Sequence, residues 1–195
     1  DVEHAYDVTS GLLLSQSGVA NGGDANGHGT LVSGVIAARA DNGQGIAGSS
    51  YNANILPVKV FDEENTCTSA DLIAAYAYLN DLIEIGSLTD LRVINISMGY
   101  YSDRGDQTDE ALHESIANML NEHDVLTVCA GGNGDASGQA ITAACYPSDF
   151  DECLSVTALD EDGSNATFSD YNAAKDISAP GVNILSTNVD GGYSA

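Results

Sequence analysis

The sequence predicts an α/β fold in which a doubly wound, mostly parallel sheet lies between two layers of helices. Apolar runs of strand length alternate along the chain with segments of helical periodicity, an order typical of parallel strands joined by crossover helices. The strand segments are continuously apolar rather than alternating, as expected for strands covered on both faces. At 195 residues the chain is long enough for one such domain with a sizeable core.

Apolar periodicity defines the elements. Strands are assigned to continuous apolar runs of four to seven residues, and helices to longer segments in which apolar residues recur at about three- to four-residue spacing. In chain order we predict a helix over 30–39, a strand over 55–60, a helix over 69–85, a strand over 93–97, a helix over 109–123 and strands over 125–130 and 153–158.

The second and third helices have recognisable starts. Ser69 and Thr108 are the predicted N-caps, because their side-chain oxygens can accept hydrogen bonds from first-turn N–H groups. Apolar residues at helical spacing predict which face of the second helix packs on the sheet. They are Leu72, Ile73, Tyr76, Leu79 and Ile83.

Acidic residues dominate the charge of the chain. Five Lys and Arg stand against 29 Asp and Glu, which gives a formal charge of −24 at pH 7. Nucleic acid is therefore not expected as a partner, since phosphate binding needs a basic surface. The composition favours solubility and would also suit a salty medium. No apolar run could span a membrane, and any signal peptide is expected outside this segment.

The four cysteines leave their redox state open. The cysteines are Cys67, Cys129, Cys145 and Cys153. None of them forms a Cys-x-x-Cys pair, and their spacing fits no zinc site. They could form two disulfides in a secreted protein. Two of them fall in predicted core strands, where cysteine often acts as a small apolar residue.

Residues 26–30, Asn-Gly-His-Gly-Thr, place His28 between two glycines at the start of the first helix. The helix would fix the position of the ring, and the glycines would leave room for a substrate to approach. This is a suitable position for a general base, the usual catalytic role of histidine near neutral pH. The alternative is a histidine in a glycine-rich turn without any chemical role.

A second segment, residues 125–135, predicts a buried strand that runs into a glycine-rich turn displaying Asn133. In a doubly wound sheet, ligands bind beyond the carboxyl ends of the strands, which is where this turn lies. An asparagine in such a turn can present its amide to a ligand. It can equally supply only a left-handed backbone conformation.

These segments resemble motifs of the subtilisin-like serine proteases, the subtilase family. Residues 92–99, 166–171 and 176–184 resemble further motifs of that family, and all occur in the family's order over nearly the whole chain. The resemblance implies a subtilisin-like three-layer fold and a serine endopeptidase. It also implies that His28 is the general base of an Asp-His-Ser triad, and that Asn133 donates its amide to the oxyanion.

Two motifs of the family do not occur in this chain. The Asp-Thr/Ser-Gly turn with the catalytic aspartate and the Gly-Thr-Ser segment with the nucleophile are both missing. By the family's order, the aspartate would lie shortly before Asp1 and the serine shortly after Ala195. We therefore expect residues 1–195 to be a partial catalytic domain, truncated at both ends and inactive on its own.

The resemblance also implies how a substrate would bind. An extended polypeptide would add a strand to the backbone edge formed by Ser97, Met98 and Gly99. The first specificity pocket would be floored near Cys145, where the family usually has glycine. Its wall would be formed by Ala130, Gly131 and Gly132.

A structural calcium ion and an extracellular or cell-surface location are further expectations from the family. Many subtilases bind calcium in a loop after the histidine helix, and residues 41–46 resemble that loop. Asp7 and Asn42 are the candidate ligands, with oxygen donors of the kind that suit calcium. Arg39 departs from the pattern, since it adds a positive charge beside a loop that is one residue longer.

Two functions of other classes compete with the enzyme. A subtilase-like module that lost its serine could still bind peptides without cleaving them. An unrelated nucleotide-binding α/β domain is disfavoured, because no Gly-x-Gly-x-x-Gly segment follows a first strand.

Overall fold

A computed structural model of the chain describes residues 3–16, 24–101 and 109–195. The described residues fall into two compact units. The first runs to Ala75 and also includes Asn183–Ala195, and the second is Tyr76–Val182.

The first unit contains a three-stranded sheet, a helix and a small hairpin. Strand β1 pairs antiparallel with β2 and parallel with β3, and β10 pairs antiparallel with β11. Helix α1 packs against β10, and α2 begins in this unit and ends in the second. The elements are β1 (Tyr6–Asp7), β2 (Leu12–Leu13), α1 (His28–Ala37), β3 (Val58–Lys59), α2 (Ser69–Glu84), β10 (Ser186–Thr187) and β11 (Tyr193–Ser194).

The second unit is built on a four-stranded parallel sheet. The strand order is β4-β6-β8-β9, which makes β6 an inner strand between β4 and β8. Strands β5 and β7 form a separate antiparallel pair. The elements are β4 (Val93–Ile96), β5 (Tyr100–Tyr101), α3 (Glu110–His123), β6 (Leu126–Ala130), β7 (Cys145–Tyr146), β8 (Cys153–Leu159) and β9 (Ile177–Pro180).

Helix α3 supplies the best-buried apolar side chains of this unit. Leu112, Ile116 and Met119 recur at helical spacing and are at most 2% exposed. Asp109 caps the helix by accepting a hydrogen bond from the backbone N–H of Leu112. The cap and the apolar stripe together fix the position of α3 against β6.

The predicted α/β class and parallel sheet are confirmed, but the predicted caps were wrong or cannot be checked. Thr68 rather than Ser69 caps α2: its hydroxyl accepts the N–H of Asp71, whose carboxylate accepts the N–H of Thr68. This reciprocal arrangement is a capping box. Thr108 lies outside the described residues, and Asp109 is the N-cap of α3.

The observed strand boundaries differ more from the predicted ones than the helix boundaries do. Of the strand predicted over 55–60, only the two residues of β3 form a strand. Strands of two residues are too short to give a periodic pattern. The expectation that the predicted strands are covered on both faces is wrong at β4, and the other outer strand, β9, which was not predicted, is also partly exposed. Val93 on β4 is 51% exposed and Ile177 on β9 is 53% exposed.

The packing face of α2 is also shifted from the prediction. Leu72, Tyr76 and Leu79 are buried as expected. Ala75 and Leu82 are buried in addition, whereas Ile73 and Ile83 remain only half-buried.

All four cysteines are unbridged. Cys129, Cys145 and Cys153 are buried and Cys67 is half-buried. The two-disulfide alternative therefore does not apply to this fold, and the buried cysteines act as small apolar residues. No helix in the described part of the chain is long and apolar enough to cross a membrane.

A buried ion pair joins Lys175 to the β7–β8 connection. The side chains of Lys175 and Asp149 are 6% and 5% exposed, and the ammonium donates to the carboxylate. Asp149 also accepts hydrogen bonds from Asn172 at 2.7 Å and Ser148 at 2.9 Å. Burial on its own would raise the pKa of Asp149, but the bonds from Lys175, Asn172 and Ser148 outweigh it and hold the pKa below its usual value.

Replacing Lys175 by Met should lower the free energy of unfolding by about 3–5 kcal/mol at pH 7, because a buried carboxylate would lose its counter-ion. The folded-state pKa of Asp149 is lowered, so its contribution is present above the unfolded pKa and is lost as pH falls through the folded value. Urea unfolding at pH 7 and in acid should show the difference between the variants shrinking in acid. The control is Arg92→Met, an exposed position expected to stay within about 0.5 kcal/mol.

Candidate active site

Helix α1 begins at His28, and Asp24 holds the turn that precedes it. The preceding residue, Gly27, is left-handed with φ 87° and offers no side-chain cap. Asp24 takes that role: one carboxylate oxygen accepts the N–H of Gly27 at 2.9 Å, and the other accepts the N–H of Thr30 at 2.7 Å and its hydroxyl at 2.5 Å. The ring of His28 is exposed on this fixed backbone.

Asp24 remains ionised in this position. Burial on its own would raise the pKa of Asp24, but the hydrogen bonds from Thr30 and Gly27 outweigh it, and the pKa lies below its usual value. A negative carboxylate at a helix N-terminus also interacts favourably with the helix dipole. Asp24 therefore stabilises the N-terminus of the helix that carries His28.

Strand β10 holds α1 from the side. The hydroxyl of Ser186 donates to the carbonyl of Leu31 at 2.5 Å, and that of Thr187 donates to the carbonyl of Thr30 at 2.9 Å. A Cβ on Gly34 would lie 2.2 Å from the Thr187 hydroxyl oxygen. Glycine at this position therefore allows the close approach that lets β10 fix the helix.

The oxyanion candidate lies in a turn after β6. The N–H of Gly131 donates to the carbonyl of Val156 on β8 at 2.8 Å, which continues the parallel pairing beyond the strand. Gly132 then takes φ 108°, a conformation that favours glycine. Asn133 is exposed, and no partner for its side-chain amide is found among the residues that the structure describes. The amide is thus available to a ligand.

A hydrogen-bond network that the sequence analysis missed holds this turn. The buried carboxylate of Asp170 accepts the hydroxyl of Tyr101, and the Tyr101 oxygen accepts the backbone N–H of Asn133 at 3.1 Å. Asp170 also accepts the N–H of Ile141 at 2.8 Å, and its own N–H donates to the carbonyl of Gly132 at 3.2 Å. No periodic signal marks Tyr101 or Asp170, which are 69 positions apart.

The predicted substrate edge lies at the same end of the sheet as Asn133. Ser97, Met98 and Gly99 follow β4, and β4 pairs in parallel with β6, the strand that leads to the Asn133 turn. A Cβ on Gly99 would lie 2.8 Å from the sulfur of the buried Cys145. Of the predicted pocket wall, Gly131 is buried, and Ala130 and Gly132 are half-buried. The fold brings these residues together with Asn133, whereas His28 belongs to the first unit; their roles stay predictions.

Both candidate calcium ligands have hydrogen-bond partners in the structure. The carboxylate of Asp7 accepts the N–H and hydroxyl of Thr9 at 3.0 and 2.7 Å and lies 3.5 Å from the ammonium of Lys59. The amide oxygen of Asn42 accepts the N–H of Gln44 at 2.9 Å. Within 3–16, 24–101 and 109–195, no group of three or more His, Cys, Asp or Glu could hold a metal. The calcium site at Asp7 and Asn42 stays a prediction.

Comparison with known proteins identifies a family. A model of the "Subtilase family" matches residues 15–195. The chain is 31% identical to Subtilisin DY of Bacillus licheniformis over 92% of this chain and 60% of that protein. It is 35% identical to the Major intracellular serine protease of Bacillus subtilis (strain 168), over 84% of this chain and 47% of that protein. It thus spans about half the length of these relatives.

A solved structure supports the fold. The structure of the Prenylagaramide maturation protease PagA superimposes with a TM-score of 0.70 at 28% identity, covering 86% of this chain and 56% of that one. The subtilisin-like α/β fold predicted from the sequence is confirmed by this likeness.

Asp24→Ala should lower the free energy of unfolding by about 1–2 kcal/mol, because two backbone N–H groups and one hydroxyl lose their acceptor. Asp24→Asn, which keeps one acceptor oxygen, should lose less. Asp190→Ala is the matched control, since Asp190 is exposed and its carboxylate accepts no hydrogen bond from any described residue. Equal losses for Asp24→Ala and Asp190→Ala in urea titrations would contradict the assigned cap.

Proposed function

Because the chain belongs to the subtilase family, we propose that it supplies the general base and the oxyanion donor of a serine endopeptidase. The observation that carries this proposal is the Asn133 turn. Its backbone is held at Gly131, Gly132 and Asn133, while the Asn133 amide is left open to solvent. A donor fixed in this way costs little reorganisation when negative charge develops on a substrate oxygen.

The proposed reaction moves one proton through His28. A serine hydroxyl attacks the peptide carbonyl carbon, its proton passes to the free ring nitrogen of His28, and the carbonyl oxygen becomes negative. The Asn133 amide donates to that oxygen. Collapse breaks the C–N bond as His28 returns the proton to the leaving amine, and water repeats the sequence to release the acid. We propose that the serine and the orienting aspartate belong to parts of the natural polypeptide outside this 195-residue chain.

An extended polypeptide is the proposed substrate. The backbone at Ser97–Gly99 follows β4 at an end of the sheet where a peptide could add a strand beside Asn133. Small residues at 130–132 would leave space for a substrate side chain. The buried Cys145 sulfur lies against Gly99 and would limit the depth of that space.

An extracellular or cell-surface location is also a proposal. Among the relatives, one is named as an intracellular protease, so family membership alone does not decide the compartment. Fractionation of the native organism with an antibody to this chain would test the location. A structural calcium ion, with Asp7 and Asn42 as candidate ligands, is likewise a proposal, and thermal unfolding with calcium or a chelator would test it.

The enzyme is tested with the natural polypeptide that contains these residues. It should hydrolyse peptides and be labelled by a fluorophosphonate probe. His28→Ala should lower kcat by about 10⁶-fold, as removal of the base does in subtilisin. Asn133→Ala should lower kcat by about 10²–10³-fold, the loss known for an oxyanion donor of subtilisin. Active protein with unchanged kcat in either variant would contradict the role of that residue.

The same experiment separates the enzyme from the peptide-binding module. The 195-residue chain alone should not react with the probe, since neither family motif for the aspartate or the nucleophile occurs in it. Labelling of this chain, blocked by His28→Ala, would place a nucleophile within it and contradict our assignment. If the natural polypeptide binds peptides but neither cleaves them nor reacts with the probe, the module is correct.

A further inference from the structure

We infer that Tyr101 is a positioning residue for the oxyanion donor, holding the backbone of Asn133 through a phenol oxygen that a buried carboxylate orients. The inference rests on the proposed function, because it assumes that Asn133 is the donor. It assigns to Tyr101 and Asp170 a role in catalysis through Asn133, without contact with the substrate.

The direction of each hydrogen bond follows from the number of hydrogens. A phenol has one hydrogen to donate. Asp170 is 1% exposed, and its carboxylate accepts the hydroxyl hydrogen of Tyr101. The backbone N–H of Asn133 then donates to a lone pair of the same oxygen at 3.1 Å. Because the hydroxyl hydrogen of Tyr101 donates to Asp170, the lone pairs of the Tyr101 oxygen point in a fixed direction.

The phenol keeps its proton over the working range of pH. Burial, with the hydrogen bond to Asp170 and the charge of that carboxylate, raises the pKa of Tyr101 to about 12. The hydrogen bond to Asp170 therefore persists at neutral and mildly alkaline pH. A hydrogen bond to an ionised group is also stronger than one between neutral groups.

The backbone that carries Tyr101 is held by strand pairing, although the residue is 37% exposed. Tyr101 lies on β5, where it pairs with Cys145 of β7. Asp170 is anchored by the N–H of Ile141 and by its own N–H, which donates to the carbonyl of Gly132. The network thus connects β5, the turn after β6 and the segment around Asp170.

Gly132 lies close to the side chains of Asp170 and Tyr101. A Cβ at Gly132 would lie 2.2 Å from a carboxylate oxygen of Asp170 and 2.9 Å from the hydroxyl oxygen of Tyr101. The bare backbone lets both groups lie against the turn. The residue before Asn133 is therefore in contact with the groups that hold Asn133.

The test compares Tyr101→Phe with Tyr100→Phe in the natural polypeptide. Tyr101→Phe removes the oxygen that holds Asn133, so kcat should fall by about three- to tenfold, the size expected for one hydrogen bond. KM should stay within about twofold, because substrate binding is untouched. Tyr100 is the control: it lies on the same strand, and its buried hydroxyl has no partner among the described residues. Tyr100→Phe should leave kcat unchanged.

A double-mutant cycle with Asn133→Ala separates positioning from a general structural role. If Tyr101 acts through Asn133, Tyr101→Phe should have no further effect on kcat once the amide is gone. Titration with the fluorophosphonate probe normalises each rate to the amount of competent enzyme. Asp170→Asn, which has nearly the same volume, is the second variant, and it should lower kcat in the wild-type background but not in the Asn133→Ala background.

The outcomes are distinguishable. Unchanged kcat in Tyr101→Phe, or an equal fall with and without Asn133, would overturn the inference while leaving the proposed function intact. A natural polypeptide with no hydrolytic activity, or one whose activity does not depend on Asn133, would overturn the proposed function and this inference with it.

Discussion

A buried carboxylate, that of Asp170, is the constraint on which the conformation of the Asn133 turn depends. A carboxylate removed from water is stable only when donors surround it. Here the donors come from two distant segments, the hydroxyl of Tyr101 on β5 and the N–H of Ile141. Satisfying the carboxylate therefore draws both segments onto the turn after β6. The conformation of Gly132, which has no room for a side chain, is a consequence of that convergence.

The segments that carry His28 and Asn133 are held in the same way, each within its own unit. In each, a carboxylate holds backbone N–H groups beside an exposed side chain: Asp24 accepts from Gly27 and Thr30 around His28, and Asp170 acts on Asn133 through Tyr101. The side chains of His28 and Asn133 stay exposed to solvent, while the backbone that carries each of them is held in one conformation. Orientation of reacting groups in advance is a large part of what an enzyme contributes. The family membership and the local geometry therefore support the same proposal.

The features with a strong local signal could be predicted from the sequence, and the rest could not. Helix α1 and strand β6 follow from periodicity and adjacent glycines, so His28 and Asn133 were identified with their elements. Thr68 was missed as a cap because adjacent Thr and Ser are both good caps, and only the reciprocal bond with Asp71 distinguishes them. Tyr101 was missed because its role depends on a contact with a residue far along the chain. The ion pair between Asp7 and Lys59 was missed for the same reason, since the two residues are far apart along the chain.

The most direct test of the central claim is a crystal structure of the natural polypeptide after reaction with a fluorophosphonate. We expect a phosphonyl oxygen within about 3.5 Å of the Asn133 amide nitrogen. The ring of His28 should lie next to the modified serine. A phosphonyl oxygen directed away from Asn133, or a separation of more than about 15 Å between His28 and Asn133, would contradict it, because both must serve one reacting carbonyl.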